Sequence, residues 1–210
     1  DEKDNGVCVV DIGAGVTNFS VFTNGGITYS GIVQIAGNDV TESVAYAFDT
    51  TLEEAERLKI EYGRAQIKHS IKDQFVRFNQ ANTSEDKYLS SYSLIEVIEG
   101  SYNQLFNTIK KDLKSQKLER SIKSGFILTG GSSLLPGIDE FFRNSFRIRA
   151  KIGVVDKSKI RGLEKIILNP IYSSALGLVL YSDDKSYLDE TLAERESNII
   201  DKFKEKLLNF

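Results

Sequence analysis

The stretch from Gly6 to Phe22, GVCVVDIGAGVTNFSVF, limits the fold more than any other part of the chain. Val7, Val9, Val10 and Ile12 make a nearly continuous apolar run, which suits a strand buried on both faces. Asp11 near its end is costly there unless it meets a partner. The residues that follow supply one. In DIGAGVTN, Gly13 and Gly15 let the backbone turn tightly, so that successive N–H groups point at an anion, while Asp11 reaches a hydrated divalent cation beside it. A second strand with alternating apolar and small residues follows. The same letters also fit an ordinary hairpin carrying a solvated aspartate, and the motif alone does not decide between the two.

A chain of 210 residues has room for one or two domains and a sizeable core. A net charge of -3 without any basic run argues against a general nucleic-acid binder. Cys8 is the single cysteine, so no disulfide framework exists; it fits a reducing compartment and reads as core. His69 is also alone, and a metal site built on nitrogen or sulfur is not expected. No methionine occurs, even at position 1, which predicts a piece of a longer chain. The opening DEKDNG reads as a loop. It is no signal peptide, and no apolar run is long enough to cross a bilayer.

In order along the chain, Asn24-Gly25-Gly26 signals a hairpin leading to a third strand over 27–35. Ala36-Gly37-Asn38-Asp39 offers a turn and cap before a helix whose Val40, Val44, Ala47 and Phe48 fall at helical spacing. Thr50-Thr51 with Glu53 and Glu54 caps a second helix that stops at Gly63. Glu56 and Lys59 project from one face of it, the ordinary spacing of a solvated salt bridge. Residues 64–90 are polar, with a strand-like piece over 70–78. A long amphipathic helix spans 92–118, and Gly100 inside it marks a bend or a close approach. SGFILT (124–129) is another buried strand running into Gly130-Gly131-Ser132-Ser133, with a helix predicted from Leu135 to Phe142 and Pro136 in its first turn. A strand over 148–154 follows. A helix then starts at Pro170, and its Ser173, Ser174, Ala175 and Gly177 permit close packing. Residues 183–197 read as a charged linker. On a helical wheel of NIIDKFKEKLLNF, Ile199, Ile200, Phe203, Leu207 and Phe210 share one arc bordered by Leu208. A helix this short needs a surface to bury against: its own domain, a membrane or a partner.

DIGAGVTN, AERLK and ILTGGSSLLPG together resemble the nucleotide-binding signature of the actin, Hsp70-type chaperone and sugar-kinase superfamily. GVCVVDIGAGVTNFSVFTNGGI, IAGNDVTESVAYAF, AERLKIEYGRA, LIEVIEGSY and NPIYSSALGLVLYS narrow the resemblance to the C-terminal half of the bacterial cell-division FtsA family. The implied fold is α/β: an actin-like (ribonuclease H-like) second lobe, a mixed sheet with flanking helices and an inserted helical subdomain. Residues 1–50 and 124–182 correspond to a discontinuous 2A-type subdomain, and 51–123 to an inserted α+β 2B-type subdomain. Residues 183–197 correspond to a linker, and 198–210 to an amphipathic membrane-targeting helix.

The resemblance implies ATP and Mg2+ as cofactors. Asp11 is expected to orient the magnesium through water, with Gly13, Gly15, Thr17 and Asn18 holding phosphates. Glu56 and Lys59 are expected at ribose or adenine, and Gly130, Gly131 and Ser132 against the nucleoside. Two departures matter: Ala14 stands where FtsA usually has glycine, and Leu134 stands where the chaperones place an arginine on adenine. The family's helical subdomain binds the C-terminal peptide of the tubulin-like protein FtsZ, which places Ser101 and Tyr102 in partner contact. Gly100-Ser101 replace what is commonly proline and arginine there, and Lys110, Lys111 and Lys114 are substitute cations. The implied protein is a polymer-forming adaptor with weak or no ATP turnover. It anchors a division ring to the cytoplasmic face of the inner membrane through Ile199, Ile200, Phe203, Leu207 and Phe210. The alternative is another ATPase of the superfamily, such as a pilus-assembly or sugar-kinase-like protein.

Overall fold

The apolar run before the first glycine turn becomes the middle strand of a five-stranded sheet. The computed structural model describes residues 2–68, 72–81, 86–156, 158, 162 and 164–182. His69, the linker over 183–197 and the terminal helix with all five of its membrane-facing candidates lie outside the described residues.

A short helix α1 (Glu2–Asn5) stands where the sequence predicts a loop, and β1 (Val7–Ile12) follows. Next, β2 (Thr17–Thr23) and β3 (Gly26–Val33) fold back antiparallel in turn. Helix α2 (Gly37–Phe48) begins with the Asp39 carboxylate accepting the Ala36 N–H at 2.8 Å. Helix α3 (Leu52–Tyr62) begins on the predicted cap, the Thr51 side chain accepting the Glu54 N–H, and ends at Gly63. The poorly legible middle contains a two-stranded antiparallel sheet of β4 (Phe75–Asn79) and β5 (Asp86–Ser90). Ser90 caps the long helix α4 (Ser91–Ser115), which runs unbroken through Gly100.

β6 (Gly125–Thr129) pairs parallel to β1 on the side away from β2, which places Asp11 between Asn18 and Thr129. The sequence predicts a helix directly from Leu135, but the chain first makes a 3-10 turn over Gly131–Leu134. Helix α5 (Ile138–Phe146) begins only after Gly137, whose φ of 84° interrupts helical geometry and leaves Pro136 in a loop. β7 (Ala150–Ile152) lies parallel outside β6, giving the order β3-β2-β1-β6-β7. Two further helices, α6 (Glu164–Ile167) and α7 (Ser173–Ser182), end the described chain, with a 3-10 turn over Pro170–Tyr172 between them.

One face of the sheet carries Cys8, Val10, Ile12, Phe19, Val21, Phe126 and Leu128, all buried. The stripe of α4 packs into the same core through Leu94, Ile98, Tyr102, Leu105, Phe106 and Ile109. Phe106, Phe126, Phe142 and Phe146 bind the helices to the sheet, with Phe142 and Phe146 stacked at 4.2 Å. Each such buried side chain contributes roughly 1.5–3 kcal/mol before ordering costs. The core thus fixes β1 and β6 side by side, and their carboxyl ends open at one edge. Outside the carboxyl ends of parallel strands is where open α/β sheets hold ligands.

Candidate functional site

Three loops meet at that edge: the Gly13–Val16 turn after β1, the Ala36–Asn38 entry to α2, and the Gly130–Leu134 turn after β6. They are fastened to each other by main-chain carbonyls. The Gly13 carbonyl accepts from the Gly37 N–H at 3.0 Å and from the Ser132 hydroxyl at 3.0 Å. The Ala14 carbonyl accepts from the Asn38 N–H at 2.7 Å. With its carbonyls so engaged, the turn leaves the N–H groups of Ala14 and Gly15 without partners among the described residues. Ala14 and Gly15 are both exposed, and a Cβ on Gly15 would meet nothing within 4 Å, so the turn is open to a ligand. Paired amides of this kind suit an anion.

Two glycines permit the approach. At Gly130 φ is 85°, and a Cβ would fall 2.3 Å from Asp11 Oδ1 and 2.5 Å from the Ile12 carbonyl. At Gly37 a Cβ would lie 2.6 Å from Ser132 Oγ. Asp11 and the Gly130 bend are therefore neighbours at the same end of the sheet, and Asp11 also accepts from the Ser174 hydroxyl at 2.8 Å. Ser174 escapes sequence reasoning because a small residue on a helix reads as packing.

Below the loops lies a cleft of about 400 Å³, within the range of small-molecule sites. Gly13, Glu56, Lys59, Gly131 and Ser132 of the expected residues line it. The apolar wall comes from Ile60, Leu134, Leu135, Pro136 and Ile171, and the floor from Tyr102. Gly37, Asn38 and Tyr102 reach the site through tertiary packing, and no local pattern announces them. The cap-like GND after the third strand is the one hint.

Glu56 and Lys59 form more than a surface pair. Lys59 Nζ donates to the Gly37 carbonyl at 2.9 Å, to Thr41 Oγ1 at 2.7 Å and to Glu56 Oε2 at 2.6 Å. All three ammonium protons are thus engaged, and the side chain is 12% exposed. Lys59 ties α3 to the start of α2. Glu56, at 44% exposure, offers its other oxygen to the cleft. Burial acts to raise its carboxyl, but hydrogen bonds from Lys59 and Thr41 and the Lys59 charge outweigh that and hold it below the ordinary value. A carboxylate that stays ionised is a fitting acceptor for paired hydroxyl groups.

Several expected roles change. Thr17 is fully buried and donates its hydroxyl to the Ile35 carbonyl at 2.8 Å, so it holds β2 to the following loop and does not reach a phosphate. Asn18 is exposed and pairs directly with Asp11, sharing its face of the sheet. Tyr102, expected at a partner, is 2% exposed; its hydroxyl hydrogen-bonds the Ser132 side chain, and burial pushes the phenol up to about 12. Ser101 is half-buried and donates back to the Val97 carbonyl at 3.2 Å. Nine positions at about 100° each put Lys110 about 180° round the helix from Ser101. Lys110 lies over the Phe146 ring at 5.1 Å, and Lys111 is exposed. These residues do not form a single partner surface.

Two free amides, an ionised Glu56 and an apolar slot fit a nucleotide. No group of three or more metal-ligating side chains occurs among the described residues. Asp11 alone fits a magnesium ion held mainly by water and phosphate, as that ion usually is.

The family profile described as "Cell division protein FtsA" matches residues 8–177. Cell division protein FtsA of Pseudomonas aeruginosa is 35% identical over 185 residues, 88% of this chain and 44% of that protein. The Escherichia coli K12 protein of the same name is 32% identical over 202 residues, 93% of this chain and 48% of its own length. The chain therefore spans about half the length of the curated relatives it matches. Among solved structures, MreB5 of Spiroplasma citri bound to ADP superimposes with a TM-score of 0.70 at 18% identity, covering 90% of this chain and 56% of that one. A PilM-PilN type IV pilus biogenesis complex gives 0.62 at 21%, covering 86% and 46%. At these identities the structures establish an actin-like fold.

Proposed function

The chain belongs to the FtsA family of cell-division proteins, and on that premise we propose that its cleft binds ATP as one wall of a two-lobed site. The observation that carries this is that Gly13, Ala14, Gly131, Ser132 and Glu56 line one cleft beside the carboxyl ends of β1 and β6, with Asp11 against the adjoining Gly130 bend. In the proposed complex the Ala14 and Gly15 amides hold phosphate, Asp11 holds water on magnesium, and Glu56 accepts from the ribose hydroxyls. The base lies between Ile60 and the Leu134–Pro136 wall. Lys59 acts indirectly, by fixing Glu56 and the start of α2. No activated nucleophile accompanies these groups among the described residues, so bound nucleotide sets conformation in this reading.

Titration calorimetry with ATP and Mg2+ tests the site. Binding should weaken at least ten-fold in Glu56→Ala, and equal affinity in that variant would refute the assignment of Glu56.

Polymerisation, capture of the FtsZ C-terminal peptide and anchoring at the cytoplasmic face of the inner membrane complete the proposal. They rest on family membership and, for the membrane, on the amphipathic pattern of residues 198–210. No described helix is long and apolar enough to cross a bilayer. Changing Phe203 and Leu207 together to glutamate should abolish flotation with liposomes and leave nucleotide affinity unaltered; retained flotation would remove the tail from the mechanism.

A further inference from the structure

A second surface lies at the β7 edge of the sheet. Residues 147–152 read Arg-Ile-Arg-Ala-Lys-Ile. Arg147, at a φ of 54°, closes α5 in a left-handed turn; at the strand that follows, Arg149 and Lys151 are exposed, whereas Ala150 and Ile152 are half-buried. β7 closes the strand order, with no strand on its outer side among the described residues. The Arg149 carbonyl accepts the Phe126 N–H at 2.8 Å, and the Gly153 N–H donates to the Leu128 carbonyl at 2.7 Å. Positions 149, 151 and 153 therefore turn their backbone groups toward β6. By strand alternation, the N–H and C=O of Ala150 and Ile152 point outward, without partners among the described residues.

The charges beside this edge are only partly neutralised. Lys151 pairs with Glu2 at 2.6 Å and Arg143 with Asp139 at 3.3 Å, both exposed. Arg147 and Arg149 have no carboxylate partner among the described residues. Arg143, Arg149 and Lys151 share a groove of about 550 Å³ with Ser124 and Phe126. Cations on an edge strand often serve only to block sheet-to-sheet aggregation. The opposite edge argues against that as a general device here, since β3 is eight residues long and carries no charged residue at all.

We propose that the β7 edge binds an acidic peptide segment in extended conformation, added to the sheet as a sixth strand. Ala150 and Ile152 supply main-chain hydrogen bonds. Arg149 and Lys151 meet carboxylates two positions apart on the incoming chain, and Arg147 adds positive charge from the turn before the strand. The repeat is about 6.6–6.8 Å on both strands, and directly opposed residues share a face, so two cations two positions apart select two acids two positions apart. A lipid or nucleic-acid surface would use the cations and leave the outward backbone groups unmet. The mode is β-strand addition with charge-based selection.

The test uses a fluorescein-labelled peptide of four Asp-Val repeats and a block isomer, four Asp then four Val, with fluorescence anisotropy as the readout. The alternating peptide should bind the unaltered chain at least ten-fold more tightly than the block isomer. Arg149→Glu with Lys151→Glu should lose at least ten-fold, and so should Ala150→Pro, which removes an outward N–H and no bond to β6. Equal binding of the two isomers would overturn the proposal without any substitution, and so would retained binding in a folded Ala150→Pro chain. Failure of both peptides to bind, or capture by phosphatidylglycerol vesicles in preference to the alternating peptide, would also overturn it.

Discussion

One absent carbon atom decides how Asp11 and the Gly130 bend sit together. Gly130→Ala would force a side chain into left-handed geometry and against both a carboxylate and a carbonyl. We expect a loss of at least about 2 kcal/mol in urea unfolding together with weakened nucleotide binding. Tyr102→Phe is a finer probe. The ring remains packed, one hydrogen bond to Ser132 is removed, and stability should fall by only about 1 kcal/mol. If Tyr102 faced a partner, as the family resemblance implies, that variant would leave the cleft untouched; a changed affinity for ATP agrees with its place in the cleft lining. Asp11 and Gly130 stand out in the sequence because each breaks a local rule, an acid in an apolar run and a glycine after a buried strand; Glu56 has the spacing of an ordinary salt bridge, and only the family resemblance singles it out. Thr17 obeys none of these, and its conversion from ligand to structural hydroxyl depends on the Ile35 carbonyl, which sequence spacing does not reveal.

At the level of elements, Glu54 joins parts of the chain that sequence reasoning leaves separate. Its carboxylate accepts the Asn79 N–H at 3.0 Å and a two-pronged contact from Arg57 at 2.7 and 2.8 Å, holding β4 against α3. Glu54→Ala leaves the Asn79 donor unmet and should cost about 2 kcal/mol, measured by thermal or urea unfolding. The Arg57 hydrogen bond lowers the Glu54 carboxyl; burial opposes it, and the Asn79 N–H and the Arg57 charge add to the lowering. A carboxyl lowered on folding stabilises the protein above its unfolded value near 4.5 and loses that contribution as pH falls through the folded value. Glu56 behaves alike. Melting temperature should therefore drop as pH falls below about 4.5, and less steeply in Glu54→Gln. A continuous apolar run made β1 legible, cap and stop residues made α3 so, and helical spacing did the same for α2 and α4. Where conformation hung on one left-handed residue, as at Gly137, the predicted helix started three residues early.

For the molecule as a whole, ligand binding and folding share one set of contacts, because the loops that would hold nucleotide also close the core beneath them. Saturation at a hundred times the dissociation constant would add about 2.7 kcal/mol of stability, visible as a rise in melting temperature with ATP concentration. The shared acceptor at Gly13 carries a further consequence. Its carbonyl and that of Ala14 shield the Gly37 and Asn38 amides, so neither can trade its hydrogen for deuterium until the turns part company. Those two amides are built-in timekeepers of the gap. Mass spectrometry of the peptide spanning them would read its opening frequency directly, with no label attached.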